Sequence, residues 1–335
     1  MASTLTRLRE RTNGYTATPE QYVKLAWAAL VALTVIVLTG AAVRLSGSGL
    51  GCPTWPKCYG NLYPPLNSHA VIEFGNRVLS VPVVLAAGFA WLGALRRRPY
   101  RRDLVWLSSL LPLGVVAQAV LGGFTVKGAL DYGWVMGHFA LSMLILVAAV
   151  LLVWRARSEP SASRLDAAGP RGLPAERLLV VWSRALVGLG ALTIFAGTAA
   201  TAAGPHAGGS PGQKINRLKF DGQGTMDFVI HRHGEIALIF GLASLGLWWV
   251  ARKRGADPAV QRPLTVLCVL LALQGAVGLD QYETHLPTEL VWVHVLLASC
   301  TWITTIWTAL ACGALQRRLL RSGQERVVEG PLVPV

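Results

Sequence analysis

Long runs without a charged residue recur along the chain and give its first outline. Eight such runs cover Leu25–Val43, Val78–Leu95, Leu104–Val126, Tyr132–Trp154, Ala185–Gln213, Ile236–Ala251, Pro263–Leu279 and Leu290–Gln316. Most of them approach the roughly 20 mainly apolar residues that a helix needs to cross a membrane. The fifth run ends in GPHAGGSPGQ, whose glycines and prolines predict a loop. The pattern therefore predicts an all-α integral membrane protein with eight transmembrane helices.

The second and sixth runs are short for a span. Each becomes long enough if its helix begins a turn or two earlier, in VIEFGNR and DFVIHRH. This extension places Glu73, Asn76, Arg77, His231 and Arg232 near one edge of the membrane. Ionisable groups at that depth are costly, so they are candidates for function.

The charge balance adds an orientation. The chain of 335 residues is 53% hydrophobic and 14% charged, yet its formal net charge is +14. This combination argues against a disordered chain and against a water-soluble nucleic-acid-binding protein, because both need a polar surface. With the N-terminus inside, 23 of the 31 basic residues fall on the cytoplasmic side, and the outer loops hold only Lys57, Lys127, Lys214, Arg217 and Lys219. We therefore expect a multi-pass protein of the plasma membrane with both termini in the cytoplasm.

The two halves of the chain repeat one another. Span three ends in QAVLGGFTV, and span seven ends in QGAVGLDQY. The number of residues from Gln118 to His138 equals the number from Gln274 to His294. Asn76 lies at the start of span two and precedes His138, and His231 lies at the start of span six and precedes His294. The two intervals differ by a single position.

This repeat predicts the domain organisation. We expect two tandem, pseudo-symmetric four-helix bundles, residues 1–158 and 177–335, joined by a cytoplasmic linker at residues 159–176. Because each half has an even number of spans, the two bundles are related by an axis along the membrane normal.

His231 and His294 are candidates for one metal site. Both lie one or two turns inside the outer ends of their helices. Two imidazoles at matched depth in a four-helix unit can bind one metal, and haem iron with two axial histidines is a common case. The alternative is two unrelated histidines that hydrogen-bond to the backbone. His233 points away from His231, and we expect it to be structural.

The first half differs at the matching positions. His138 corresponds to His294, but Asn76 stands where the second half has a histidine, so only one axial ligand is evident. This half alone has a carboxylate there, Glu73, which shares a helical face with Asn76 and Arg77. The asymmetry favours chemistry at this site and a fixed cofactor at the other. The alternative is a structural ion pair between Glu73 and Arg77.

Other basic groups near the outer surface allow two interpretations. Arg77 and Arg232 suit the carboxylates of haem propionates, because a guanidinium group binds a carboxylate through two parallel hydrogen bonds. Both could instead extend to the membrane interface. His69, His206 and His285 fall in outer loops, where we expect solvated side chains, although His69 could approach the site of the first half.

Cys52 and Cys58 lie close together in GCPTWPKC, in the first outer loop. Their position on the oxidising side of the membrane allows a small disulfide. A zinc site would need two further ligands, and none is obvious. The spacing leaves a structural and a redox-active disulfide equally open.

Taken in order, these motifs resemble the haem A synthase family, in the bacterial type with a single external cysteine pair. The motifs are VRLSGSGLGCPTWPKC, VIEFGNR, QAVLGGFTVKGALDYGWVMGHF, HRHGE and QGAVGLDQYETHLPTELVWVH, and the likeness covers roughly Lys24–Gln316. The resemblance implies an eight-helix pair of four-helix bundles. It implies an enzyme that oxidises the C8 methyl of haem O to a formyl group by successive hydroxylations, which gives haem A for cytochrome c oxidase.

The resemblance also implies a role for each half. In the second half, His231 and His294 would bind the iron of a haem b, with Arg232 beside it. In the first half, the substrate haem O would be held at His138 and at the position of Asn76. Many members have a histidine at that position, so this chain predicts a substrate haem held by His138 alone, with an open axial position.

The remaining implications concern catalysis and partners. Glu73 corresponds to the glutamate that the chemistry requires, and the cysteine pair Cys52 and Cys58 would be redox-active. The partners implied are haem O, a haem O synthase, an unidentified electron donor or acceptor, and membrane lipid, with no nucleic acid. Whether the chain forms a homo-oligomer stays open. The alternative functions are a membrane b-type cytochrome that carries electrons and a haem transporter or chaperone.

Overall fold

A computed structural model describes residue 14 and residues 16–158, 174–220 and 224–328, with the side chains of 174–176 and of those after 313 left out. These ranges contain eight helices: α1 (Pro19–Leu45), α2 (Ser68–Arg96), α3 (Arg102–Lys127), α4 (Tyr132–Arg157), α5 (Pro174–Ala203), α6 (Thr225–Lys253), α7 (Pro258–Glu283) and α8 (Thr288–Val328). All eight are long and apolar enough to cross a membrane. The prediction of an all-α, multi-pass membrane protein is confirmed. Most of the predicted linker, 159–176, lies outside the described residues.

The helix starts explain why the second and sixth apolar runs looked short. Helix α2 begins at Ser68, where the side chain of Asn67 accepts a hydrogen bond from the backbone N–H of Ala70 at 2.8 Å. Such a cap satisfies a backbone donor that the first helical turn leaves free. Helix α6 begins at Thr225. Both helices therefore include the polar residues of VIEFGNR and DFVIHRH, as predicted. Helix α5 ends at Ala203, so the stretch GPHAGGSPGQ is a loop.

The helices pack first within each half. Helix α1 contacts α2 and α4, and α3 contacts the same two helices; α5 contacts α6 and α8, and α7 contacts the same two. The halves meet where α8 contacts α1 and α4, and where α4 contacts α5. This packing agrees with two four-helix units, although the boundaries at 158 and 177 stay a prediction.

Tryptophans of α8 bind the two halves together. The buried indole of Trp302 donates to the carbonyl of Met143 at 3.0 Å, and Trp292 donates to the carbonyl of Leu38 at the same distance. Trp307 stacks on Trp27 with ring centres 5.9 Å apart. An indole combines a large apolar surface with one donor, so each contact fixes both the packing and the register of α8 against the first half.

The outward face of the protein is apolar. Val31, Leu113, Leu144 and Leu238 each expose more than half of their side chains. In water, an apolar surface of this extent would promote aggregation. Around membrane-spanning helices it is the surface that contacts lipid.

Loops that follow α5 and α7 also join the halves. The guanidinium of Arg44 donates to the carbonyl of His206 at 2.7 Å, and the His206 ring bonds to the carbonyl of Leu286 at 2.7 Å. The expectation of a solvated His206 is therefore wrong, because this loop folds between the two halves. His69 is likewise only partly exposed and bonds to the Ser48 hydroxyl, whereas His285 is exposed.

Candidate functional site

A glutamine and a glycine surround His138 in the first half. The side chain of Gln118 on α3 donates to the backbone carbonyl of His138 on α4 at 3.0 Å. A Cβ atom at Gly122, one turn further along α3, would lie 3.4 Å from Cε1 of the His138 ring. The Nδ1 atom of His138 is buried and has no hydrogen-bond partner among the described residues. Gln118 and Gly122 of α3 thus position His138, and Nδ1 of its ring has no partner within the described residues.

The second half repeats this arrangement. Gln274 on α7 donates to the carbonyl of His294 on α8 at 3.1 Å, and a Cβ atom at Gly278 would lie 3.3 Å from Cε1 of the His294 ring. Nδ1 of His294 is also buried and unpartnered within the described residues. The internal repeat seen in the sequence is therefore a repeated arrangement of glutamine, glycine and histidine in the structure.

A second histidine faces His294. The ring centres of His233 and His294 are 6.1 Å apart, and their planes are inclined by 66°. Nδ1 of His233 bonds to the carbonyl of Thr193 on α5 at 3.1 Å, and a Cβ atom at Gly197 would lie 3.0 Å from its Cε1. A hydrogen bond from Nδ1 to a carbonyl fixes the ring and leaves Nε2 free for a ligand.

The predicted partner of His294, His231, lies on another face of α6. It is exposed, its Nδ1 bonds to the carbonyl of Asp227 in the same helix at 2.7 Å, and its ring centre lies 6.0 Å from that of Tyr282 on α7. The structure thus brings His233, which we expected from the sequence to be structural, into ring contact with His294. No pattern within α6 distinguishes the two histidines, because the choice depends on how this helix is rotated against α5 and α8.

The histidine pair suits a metal that brings further ligands of its own. A metal held at about 2.0–2.1 Å from one nitrogen of each imidazole separates the ring centres by about 6 Å, close to the observed distance. Among the described residues, no three His, Cys, Asp or Glu side chains cluster as a bare metal ion would require. Haem iron has four ligands from its own macrocycle and needs only the two axial ones. The distance of 6.1 Å between the ring centres of His233 and His294 is that which two imidazoles sharing one haem iron would have.

Glu73 is buried near the N-terminal end of α2. One carboxylate oxygen accepts the backbone N–H of Cys52 at 2.7 Å, and the other accepts the guanidinium of Arg77. Its side chain is 8% exposed. The ion pair considered in the sequence analysis is therefore present, and it ties Glu73 to the cysteine loop.

Cys52 and Cys58 form a disulfide, and neither residue is exposed. The loop packs tightly against α2, since a Cβ atom at Gly51 would overlap the backbone of His69. The loop also contacts α3, where Trp55 packs against Gly123: a Cβ atom at Gly123 would lie 3.0 Å from the indole ring. Gly123 directly follows Gly122, the glycine that packs against His138.

Asn76 and the two candidate arginines have distinct surroundings. The Oδ1 atom of Asn76 is buried without a partner among the described residues. Arg77 is mostly buried, whereas Arg232 is exposed and pairs with an exposed carboxylate, Glu235, at 2.6 Å. The structure therefore gathers Glu73, Arg77 and the disulfide on one side of the first half, and it leaves Arg232 at the surface.

Residues 23–306 match the family model COX15-CtaA, described as cytochrome oxidase assembly protein. The chain belongs to this family. The match covers both copies of the glutamine, glycine and histidine arrangement, the disulfide loop and all eight helices in whole or in part. Membership agrees with the resemblance to haem A synthases that the motifs predicted.

Individual relatives are similar at modest identity. A protein of Thermus thermophilus described as "Protoheme IX farnesyltransferase" is 28% identical over 308 residues, which are 87% of this chain and 48% of that protein. "Heme A synthase" of Lysinibacillus sphaericus is 34% identical over 137 residues, 38% of this chain and 41% of the relative. "Heme A synthase" of Geobacillus kaustophilus is 32% identical over 142 residues, covering 40% and 44%. The chain thus spans about half the length, or less, of these relatives.

Proposed function

We propose that this protein is a haem A synthase, which oxidises the C8 methyl group of haem O to a formyl group. The observation that carries the proposal is the repeated arrangement of a glutamine, a glycine and a histidine, together with a buried carboxylate, Glu73, in the first half. The second half suits a resident cofactor, and the first half, which contains Glu73, suits a substrate that is to be changed.

The second half is proposed to hold a haem b. His294 would hold the haem iron through one ring nitrogen, and the resemblance assigns the second ligand to His231. The contacts favour His233, because its ring faces His294 and its Nδ1 is fixed by the carbonyl of Thr193. A bound haem b would supply a one-electron relay between the substrate site and an external partner.

The first half is proposed to bind haem O through His138. Asn76 has a buried amide oxygen without a partner in the described part of the chain, and its side chain cannot bind iron as an imidazole does. We therefore propose one axial ligand from the protein and an open position on the other face of the substrate. Two successive hydroxylations would convert the methyl to a geminal diol, which loses water to give the aldehyde. With water as the oxygen source, each hydroxylation passes two electrons to the external acceptor and releases two protons.

Glu73 is proposed to act on the substrate methyl. A carboxylate in a site shielded from water can accept a proton or stabilise positive charge that develops at the reacting carbon. Its two observed hydrogen bonds hold the group in one orientation, so little rearrangement is needed at the moment of reaction.

The proposed setting is the plasma membrane, with both termini in the cytoplasm and the disulfide loop outside. Two features support it: the concentration of basic residues in the inner loops and the oxidised cysteine pair. A haem O synthase would supply the substrate, and an unidentified carrier would exchange electrons. Redox activity of the disulfide, which the resemblance implies, belongs to the same proposal.

One experiment separates this proposal from its rivals. The protein is produced together with a source of haem O, and the haems are extracted and identified by mass. Formyl haem supports the synthase, whereas unchanged haem O supports an electron carrier or a haem transporter. New farnesylated haem from protohaem alone would instead indicate the activity named for the Thermus relative.

A further inference from the structure

Arg77 makes an unusual set of contacts for a residue near a membrane interface. Its two terminal nitrogens donate to Glu73 and to three backbone carbonyls of the disulfide loop: Thr54 at 3.0 Å, Pro56 at 3.2 Å and Cys52 at 3.0 Å. All three carbonyls lie within or at the edge of the segment closed by the disulfide. The guanidinium is thus engaged within the protein, which argues against the role of propionate ligand.

The loop that Arg77 holds reaches the part of α3 that packs on His138. Trp55 lies between the carbonyls of Thr54 and Pro56 and packs on Gly123 of α3, and the preceding Gly122 packs behind His138. The backbone N–H of Cys52 donates to Glu73. One side chain therefore joins the proposed catalytic carboxylate, the disulfide loop and, through Trp55, the part of α3 that packs on His138.

We propose that Arg77 is a positioning residue that clamps the Cys52–Cys58 loop, holds Trp55 of that loop against the part of α3 that packs on His138, and fixes the orientation of Glu73. The inference rests on the proposed function for its catalytic part, but the clamp itself is independent of any haem. The planar guanidinium fork is essential to it, because its two terminal nitrogens bind a carboxylate and several carbonyls in fixed directions. A lysine ammonium keeps the charge but cannot span the same four acceptors.

The test compares Arg77→Lys with Arg217→Lys. Arg217 is a matched control, since its guanidinium also holds an outer loop through two carbonyls, those of Gly204 at 2.7 Å and Pro205 at 3.1 Å, but in the second half. Full-length protein is treated with a water-soluble phosphine, and new thiols are counted with an impermeant maleimide. The free cysteines Cys268, Cys300 and Cys312 provide a background measured before reduction.

We expect Arg77→Lys to speed reduction of the disulfide by about tenfold or more, because hydrogen bonds to a charged group are lost from the loop. We expect the same variant to retain bound haem and to lose most of its conversion of haem O, while Arg217→Lys behaves as wild type in both assays. Wild-type conversion together with a wild-type reduction rate in Arg77→Lys would overturn the clamp. Lost conversion at an unchanged reduction rate would also overturn it, since Arg77 would then act on the haem directly.

A second variant tests the clamp through a residue of the disulfide loop. Trp55→Ala leaves Arg77 and Glu73 in place and removes the contact with Gly123, so we expect faster reduction of the disulfide and lower conversion. Wild-type values in both assays would contradict the inference. If the wild-type protein itself makes no formyl haem, the proposed function fails, and the reduction rates still decide whether the clamp exists.

Discussion

At the scale of single residues, His231 and His233 show what spacing can and cannot decide. The interval from Asn76 to His138 is one position shorter than that from His231 to His294, and one position longer than that from His233 to His294. Each candidate thus misses the repeat by the same amount. The choice depends on which face of α6 meets α5 and α8, and no local pattern encodes that contact.

The first prediction concerns these two histidines. His233→Ala should lower the haem b bound per protein by about tenfold or more, because it removes a ring facing His294. His231→Ala should retain the haem, because this side chain is exposed and contacts Tyr282. The absorption spectrum of the purified variants measures both. Loss of haem b in His231→Ala but not in His233→Ala would restore the assignment made from sequence.

At the scale of helices, the apolar runs predicted all eight elements and the early starts of α2 and α6. The Gln–His pairs of the repeat were also visible, and the structure shows why they recur: each glutamine holds the backbone of a histidine on the next helix. The attachment of the loop GCPTWPKC could not be predicted, since it depends on long-range bonds from Arg77 and Glu73 to backbone atoms.

A prediction at this scale tests the glycine behind His294. Gly278→Val should displace the imidazole and reduce haem b binding, because even a Cβ atom there would lie 3.3 Å from the ring. Gly275→Val on the same helix is the control, since a Cβ atom at Gly275 meets nothing within 4 Å. Both variants carry the same β-branched residue, so helix propensity cancels. Equal haem content in the two variants would show that haem binding does not depend on Gly278.

At the scale of the whole molecule, charge and hydropathy predicted the membrane architecture, but not how the halves meet. Trp302 and Trp292 hold α8 against the first half, whereas Trp106, equally apolar in sequence, is 65% exposed. A tryptophan that faces lipid and a tryptophan packed between helices both occur in apolar stretches of sequence. The sequence alone therefore does not distinguish the two positions.

This difference gives a stability prediction. Trp302→Ala should lower the free energy of unfolding by about 3 kcal/mol, because it leaves a cavity between the halves. Trp106→Ala should change it far less. Thermal unfolding of the two variants in the same lipid or detergent gives the comparison. Equal loss of stability would mean that the contact of α8 with the first half contributes little.

The central claim is that haem O is oxidised beside Glu73, and the amount of formyl haem extracted from wild type and from Glu73→Gln tests it most directly. Glutamine keeps the size of the side chain but cannot accept a proton as a carboxylate does. We predict formyl haem from the wild type and unchanged haem O from Glu73→Gln, with haem b retained in both. Equal formyl haem from the two proteins would contradict the account.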